Sequence, residues 1–167
     1  MRKIITINWE GPFSYDTAIN EYHLDNEERC DFGLYQIYGP HDLYKNKKRA
    51  ETENVLLYVG KTISGSAFSG RISRQGFCHG SEFEIYFGRI EGANYNDDKA
   101  SWEQDVSDAE KILINKYAPS YNGTGVGDLR PDQLDNSDFI IKNIRLRADL
   151  DEEIASEDVV YRPEASG

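Results

Sequence analysis

Two short aromatic and β-branched runs, each flanked by glycine, constrain this chain more than anything else in it. The first is Gly33-Leu34-Tyr35-Gln36-Ile37-Tyr38 and the second Val55-Leu56-Leu57-Tyr58-Val59-Gly60-Lys61-Thr62. Residues of this kind fit a pleated, half-buried surface, so the pair predicts the two strands of one hairpin. The connection from Gly39 to Asn54 is too long for a tight turn and carries Lys45-Asn46-Lys47-Lys48-Arg49. Such a basic run either meets phosphates or is a solvated face, and the sequence leaves both open.

A chain of 167 residues fits one domain with extensions and can bury an ordinary core. The formal net charge of −11 argues against a nucleic-acid partner, because such proteins carry a basic footprint that displaces counterions. The distribution of charge softens the objection. Residues 33 to 90 hold 8 basic groups against 5 acidic ones, so the hairpin region is the only basic part of an acidic chain. Cys30 and Cys78 lie far apart and outside any metal-type spacing, which predicts reduced structural thiols and no zinc site. The sequence has neither a run of 18 apolar residues nor a charged-then-apolar leader, and a soluble, cytoplasmic protein with no membrane partner is the expectation.

Along the chain, residues 3 to 9 have strand composition and Gly11-Pro12 should stop them. Ser14 caps a short helix to Tyr22, and Asp25 to Arg29 is an acidic connector. Ser66 to Gln75 predicts a helix carrying Arg71 and Arg74 one turn apart. Ser81 to Ile90 alternates as a third strand. Ser101-Trp102-Glu103-Gln104 has the form of a capping box, opening a helix to about Tyr117, before Pro119. On that helix Trp102, Val106, Ala109, Ile112, Leu113, Ile114 and Tyr117 form one apolar arc. Glu110 falls inside it, the only carboxylate placed there. A buried unpaired charge costs several kcal/mol, so Glu110 must meet a cation or metal, open onto a cleft, or pair with a core arginine. Asp138 to Arg147 reads as a final strand after a loop over 123–136. Residues 149–167 read as an acidic tail, mobile or loosely docked.

Gly33-Leu34-Tyr35 opening one strand and Tyr58-Val59-Gly60-Lys61 closing the next resemble the GIY-YIG nuclease superfamily, whose name comes from those two tripeptides. The resemblance extends to Arg71-Ile72 on the following helix, to Glu110, and to Pro119-Ser120-Tyr121-Asn122, and so covers about residues 33–122. It divides the chain into an N-terminal extension (1–32), a catalytic domain (33–122), a C-terminal loop and strand (123–148) and the acidic tail (149–167). It implies a small α/β (α+β) fold: a mainly antiparallel sheet of the 33–39, 55–60 and 82–90 strands flanked by the Arg71 and Glu110 helices. Departures are the long hairpin loop, a Ser/Gly insertion at Ser64-Gly65-Ser66, and Gln75 where the family often has histidine or tyrosine. His79 is the candidate substitute, with an incidental loop histidine as the alternative.

What the resemblance implies is metal-dependent hydrolysis of DNA phosphodiester bonds. Glu110 would hold one Mg2+ or Mn2+ ion, Arg71 would neutralise phosphate oxygens, and Tyr35, with Tyr58 nearby or sharing the role, would activate water. A tyrosine of ordinary pKa near 10 needs positive neighbours for that task, and Lys61 is placed in sequence to supply one. Asn122 helps shape the site. Lys45, Lys47, Lys48, Arg49 and Arg74 are the candidate DNA contacts. Tyr35, Tyr58, Arg71 and Glu110 should then reach one cleft, and the reading fails if the Tyr35 and Glu110 side chains open on opposite faces of the sheet. Two rivals stand beside it: an inactive nucleic-acid-binding or assembly module of the same fold, and an acidic interaction protein with an accidental motif.

Overall fold

The computed structural model describes residues 2–21, 33–40, 54–63, 68–92, 98–122 and 138–158. Its order of elements is β1 (Lys3–Phe13), α1 (Tyr15–Glu21), β2 (Gly33–Gly39), β3 (Val55–Thr62), α2 (Phe68–Ser73), β4 (Glu84–Ile90), α3 (Lys99–Tyr117), β5 (Phe139–Arg145) and β6 (Glu153–Ala155), closed by a 3-10 turn at Ser156–Asp158. The strands form one six-stranded sheet in the order β3-β2-β4-β1-β5-β6, and only β1 with β5 is parallel. The fold is thus mixed α/β with a mainly antiparallel sheet. The three strands expected from residues 33–90 make one half of it, and the terminal segments build the other.

Alternation along β2 assigns the two faces of the sheet. Tyr35 and Ile37 pack with Ala18 of α1, Phe68 and Ile72 of α2, and Ile85 and Phe87 of β4. Leu34 packs the other way, with Ile5, Ile7 and Trp9 of β1 and the apolar side of α3. The sheet therefore lies between two helical layers, and β2, paired on both edges and covered on both faces, is buried at every position. Gly33 permits this closeness: at φ 154° its missing Cβ would run into the carbonyl of Gly88 on β4.

Several boundaries differ from the sequence reading. β1 does not stop at Gly11-Pro12 but shifts register between Glu10 and Phe13 and resumes, as a bulge allows a proline within a strand. The helix of Ser101 begins one turn earlier, because Asp98 takes the cap and accepts the Ser101 N–H at 3.1 Å. Ser14 does cap α1, accepting the Thr17 N–H at 3.2 Å.

The apolar arc of α3 holds more carboxylates than Glu110. Asp105 and Asp108 are both buried. Asp105 forms an ion pair with Lys3 of β1, and Asp108 accepts from Gln104 at 2.9 Å. Partners from a distant strand and from the previous turn made these positions affordable, and helical angles carry no sign of either.

The acidic tail also begins later than its composition suggests. Leu150 and Ile154 are buried in the α3-side core and β6 pairs with β5, so residues 149–158 are docked. Asn143 locks this extension by accepting from the Trp9 indole and donating to the Asp151 carbonyl, each at 2.9 Å. Residues 159–167 lie outside the described residues, as do 22–32, the loop with Lys45, Lys47, Lys48 and Arg49, the Ser64 to Ser66 insertion and 123–137. Among the described residues, no helix is long and apolar enough to cross a membrane.

Candidate active site

In the β2–β3 ladder Tyr35 stands opposite Gly60 and Ile37 opposite Tyr58. Cross-strand partners share a face, so the two tyrosines project together, and their rings stack with centroids 5.9 Å apart. Gly60 makes room for them. A Cβ at that position would land on the Tyr35 phenol itself, which gives the glycine after Tyr58-Val59 a steric reason. Phe77 meets Tyr58 edge-on at 6.3 Å and Tyr121 at 4.7 Å, closing the aromatic wall.

The Tyr35 hydroxyl is almost inaccessible, the residue being 2% exposed, and it accepts from the Gln75 side chain at 3.1 Å. Gln75 gets there because the turn after α2 bonds back to Ile72 at 3.0 Å. The residue that departs from the family pattern is thus the one that holds the tyrosine. Burial, then the neighbouring Tyr58 and Glu110, raise the Tyr35 pKa well above its ordinary value; the Gln75 hydrogen bond opposes them.

Arg71 of α2 is half-buried, and its Nε is buried without a hydrogen-bond partner. Lys61 extends toward α3, where its Nζ lies 3.5 Å from Glu110 Oε1 and donates to Ser107 Oγ at 3.1 Å. Burial raises the Glu110 pKa; Lys61, Lys111 and Arg71 pull it back.

These contacts decide how Tyr35 and Glu110 are related. Their helices are on opposite faces of the sheet, which would separate the two groups under its middle. But β3 is the edge strand, and α3 packs against it. Lys61 of that strand holds the Glu110 carboxylate at the edge from the α3 side. The single one-face cleft expected from the resemblance is therefore not formed: Tyr35 packs on the α2 side of the sheet and Glu110 comes from the α3 side, where Lys61 of edge strand β3 holds it.

Asn122 has a structural task in this edge. Its side chain accepts the Val59 N–H at 3.0 Å and donates to the Val59 carbonyl at 2.9 Å, as a neighbouring strand would. It fixes the residue between Tyr58 and Gly60. His79 and Arg74 stand apart: the His79 ring stacks on Tyr15 of α1 at 4.2 Å, and exposed Arg74 follows the end of α2. Sequence reasoning missed Ser107, although its place one turn before Glu110 on α3 was a usable signal.

Among the described residues, no three His, Cys, Asp or Glu side chains converge as a metal cage. Glu110 alone suits only a hard cation that keeps most of its water and completes its shell with substrate phosphate, as Mg2+ does. The desolvated carboxylate suits the cation, and the unsatisfied Arg71 Nε–H suits the phosphate that would accompany it. No family model, no curated protein and no solved structure matches this chain.

Proposed function

We propose that this chain is a GIY-YIG-type endonuclease that hydrolyses DNA phosphodiester bonds with the help of one divalent cation, Mg2+ or Mn2+. In this reading β2, β3, β4, α2 and α3 are the catalytic unit, and β1, β5 and β6 are additions to it. What carries the proposal, in place of the one-face cleft, is that edge strand β3 holds the Tyr35–Tyr58 pair on one side and the Lys61–Glu110 ion pair on the other, with an unpartnered Arg71 Nε on α2. With no matching relative, the reading rests on these residues and their geometry.

Each group has a task its environment suits. Arg71 offers a buried donor to a non-bridging phosphate oxygen, where a charge-assisted bond is strong. Glu110 would hold the cation, which when bound supplies a Lewis acid at the scissile phosphate. Lys61 keeps the Glu110 carboxylate oriented. Tyr35 and Tyr58 form the proton-accepting pair for the attacking water. Because burial keeps the Tyr35 phenol protonated, it becomes a base only when positive charge arrives beside it, and the half-buried Tyr58 hydroxyl is the more accessible of the two. Cys78 takes no part: it is a free, buried thiol pushed up to about 11 by desolvation, in keeping with a reduced, cytoplasmic protein.

The same raised Tyr35 pKa, together with Gln75 in the histidine position, favours a second reading: a domain that binds nucleic acid without cutting it. A cleavage assay on plasmid, branched and single-stranded DNA, with and without Mg2+ or Mn2+, separates the two. Metal-dependent nicking supports the enzyme; binding of the same substrates with no product supports the module.

A further inference from the structure

Away from β3, one face of the sheet is left uncovered where β1, β5 and β6 meet. Ile5, Ile141 and Ile154 point into the α3-side core, so their neighbours Ile4, Ile140 and Ala155 point to the opposite face. The core that α1 and α2 build on that face draws on β2, β3 and β4 and, past the bulge, on Phe13, but on nothing from residues 3–10 of β1 or from β5. Ile4, 56% exposed, is one of two large apolar side chains left exposed among the described residues. The ladders carry its row on to Ile140 and then to Ala155, both half-buried, with half-buried Ile144 on the same face of β5.

The chain itself leads to this row. Lys3 turns to Asp105 on the α3 side, so Arg2 turns the other way, where its guanidinium pairs with Asp138 at 3.0 Å and with Glu157. The 3-10 turn at Ser156–Asp158 is thereby tied to the start of β1 on the uncovered face, and the Ala155 N–H donates to Asp158 Oδ2 at 2.9 Å within it. Directly after Asp158 the sequence reads Val159-Val160-Tyr161, three residues of strand-forming, apolar type. Extended, they span roughly 10 Å at about 3.3 Å each, which matches two strand spacings of about 4.8 Å, the separation of β6 from β1. A second copy of the chain is the poorer occupant. One exposed and two half-buried isoleucines offer well under the roughly 800 Å2 per partner that a stable dimer buries, and a net charge of −11 opposes self-association.

We infer that this face is a docking site for the chain's own residues 159–161, which fold back from the 3-10 turn and cover Ile4 and Ile140. The inference does not depend on the nuclease reading, and no outcome of its test bears on that reading. In NMR spectra of the full chain, the Ile4 and Ile140 δ1 methyls should show NOEs to the Val159 and Val160 methyls or to the Tyr161 ring. A mutant cycle read by thermal unfolding gives the second measurement. Ile4→Thr alone and Val159→Thr with Val160→Thr both keep β-branched side chains, so the sheet is preserved. Each should lower the Tm by about 2–4 °C, and all three changes together by little more than either step alone. Isoleucine methyls with NOEs only to other residues of the sheet overturn the inference, and so does a cycle in which the losses add. NOEs found only between differently labelled molecules in a mixed sample give the face to a second copy. Backbone NOEs from residues 159–161 to the outer edge of β6 make the segment a seventh strand. Either of these two results overturns the inference as well.

Discussion

Two lysine–carboxylate pairs join the sheet to α3, and they differ in what surrounds them. Lys3 of β1 closes tightly on buried Asp105, while Lys61 of β3 holds Glu110 at 3.5 Å. Each solves the same problem, a carboxylate on the apolar side of a helix. Around Lys3 and Asp105 nothing else reactive gathers among the described contacts. Near Lys61 and Glu110 the same edge strand carries a stacked tyrosine pair, α2 an arginine with an unsatisfied nitrogen, and α3 a serine whose hydroxyl oxygen accepts from the lysine. A buried acid on a helix is therefore no signal of a site by itself. What distinguishes Glu110 is the company that an edge strand, accessible from two helical layers, can bring to it.

The sharpest way to break this contrast is to delete each acid. Glu110→Ala should lower metal-dependent cleavage by about 10³-fold or more while DNA affinity stays the same or improves, and Asp105→Ala should leave the turnover of folded protein unchanged. Equal losses in the two variants, measured on folded protein, would remove the distinction. Next in size is Tyr35→Phe, expected to cut turnover about 10²-fold with little change in melting temperature. Its control is Tyr38→Phe in the same strand. The Tyr38 hydroxyl donates to Gln36 at 2.5 Å and accepts from the Asp149 N–H at 3.2 Å, so that variant should lose about 1–2 kcal/mol of stability in urea unfolding and keep its activity.

Smaller again is the stability cost of the structural pair: Asp105→Ala leaves Lys3 facing an apolar layer and should cost about 1–3 kcal/mol by the same measurement. The finest comparison uses pH. Burial holds the Glu110 pKa above its ordinary value, so the folded chain binds that proton more readily than the unfolded one. Wild-type protein should gain stability relative to Glu110→Gln as pH falls through the carboxylate range and lose that advantage as pH rises above it. Melting temperatures of the two proteins that run parallel from about pH 4 to 8 would show that Lys61 and Arg71 offset the burial in full.

The parts of the molecule that local chemistry determines were legible in the residues. β2 spans Gly33–Gly39 as read, because alternating aromatic and aliphatic residues bounded by glycine leave few other options. α3 ends at Tyr117 as read, with Ala118 left-handed at φ 44° and Pro119 behind it. What could not be read depends on partners far along the chain. The parallel pairing of β1 with β5 joins residues more than 130 positions apart, and no periodicity encodes it. The Lys3 counter-charge of Asp105 comes from a strand about 100 positions away, which helical angles do not show. β6 hides in an acidic segment because, among the described residues, Leu150 and Ile154 are its only large apolar anchors, too few to make a pattern. Within the site, the tyrosines, arginine, lysine and glutamate could be named from sequence. That they meet around an edge strand from two sides could not, since it follows from strand order.

The hydrogen bonds of Asn122 to Val59, with the Tyr121 N–H to the Leu57 carbonyl at 2.8 Å, occupy three outward backbone groups in the middle of β3. An edge strand with open backbone groups is a template on which another chain can polymerise. Here that template is already filled by the chain's own segment at the end of α3. The opposite edge, β6, is three residues long and begins at Glu153, short and charged enough to resist the same fate. The sheet is thus protected from aggregation at both margins by unlike means, and Asn122→Ala should expose the first of them, turning the strand that carries Tyr58 into a nucleus for intermolecular β-structure.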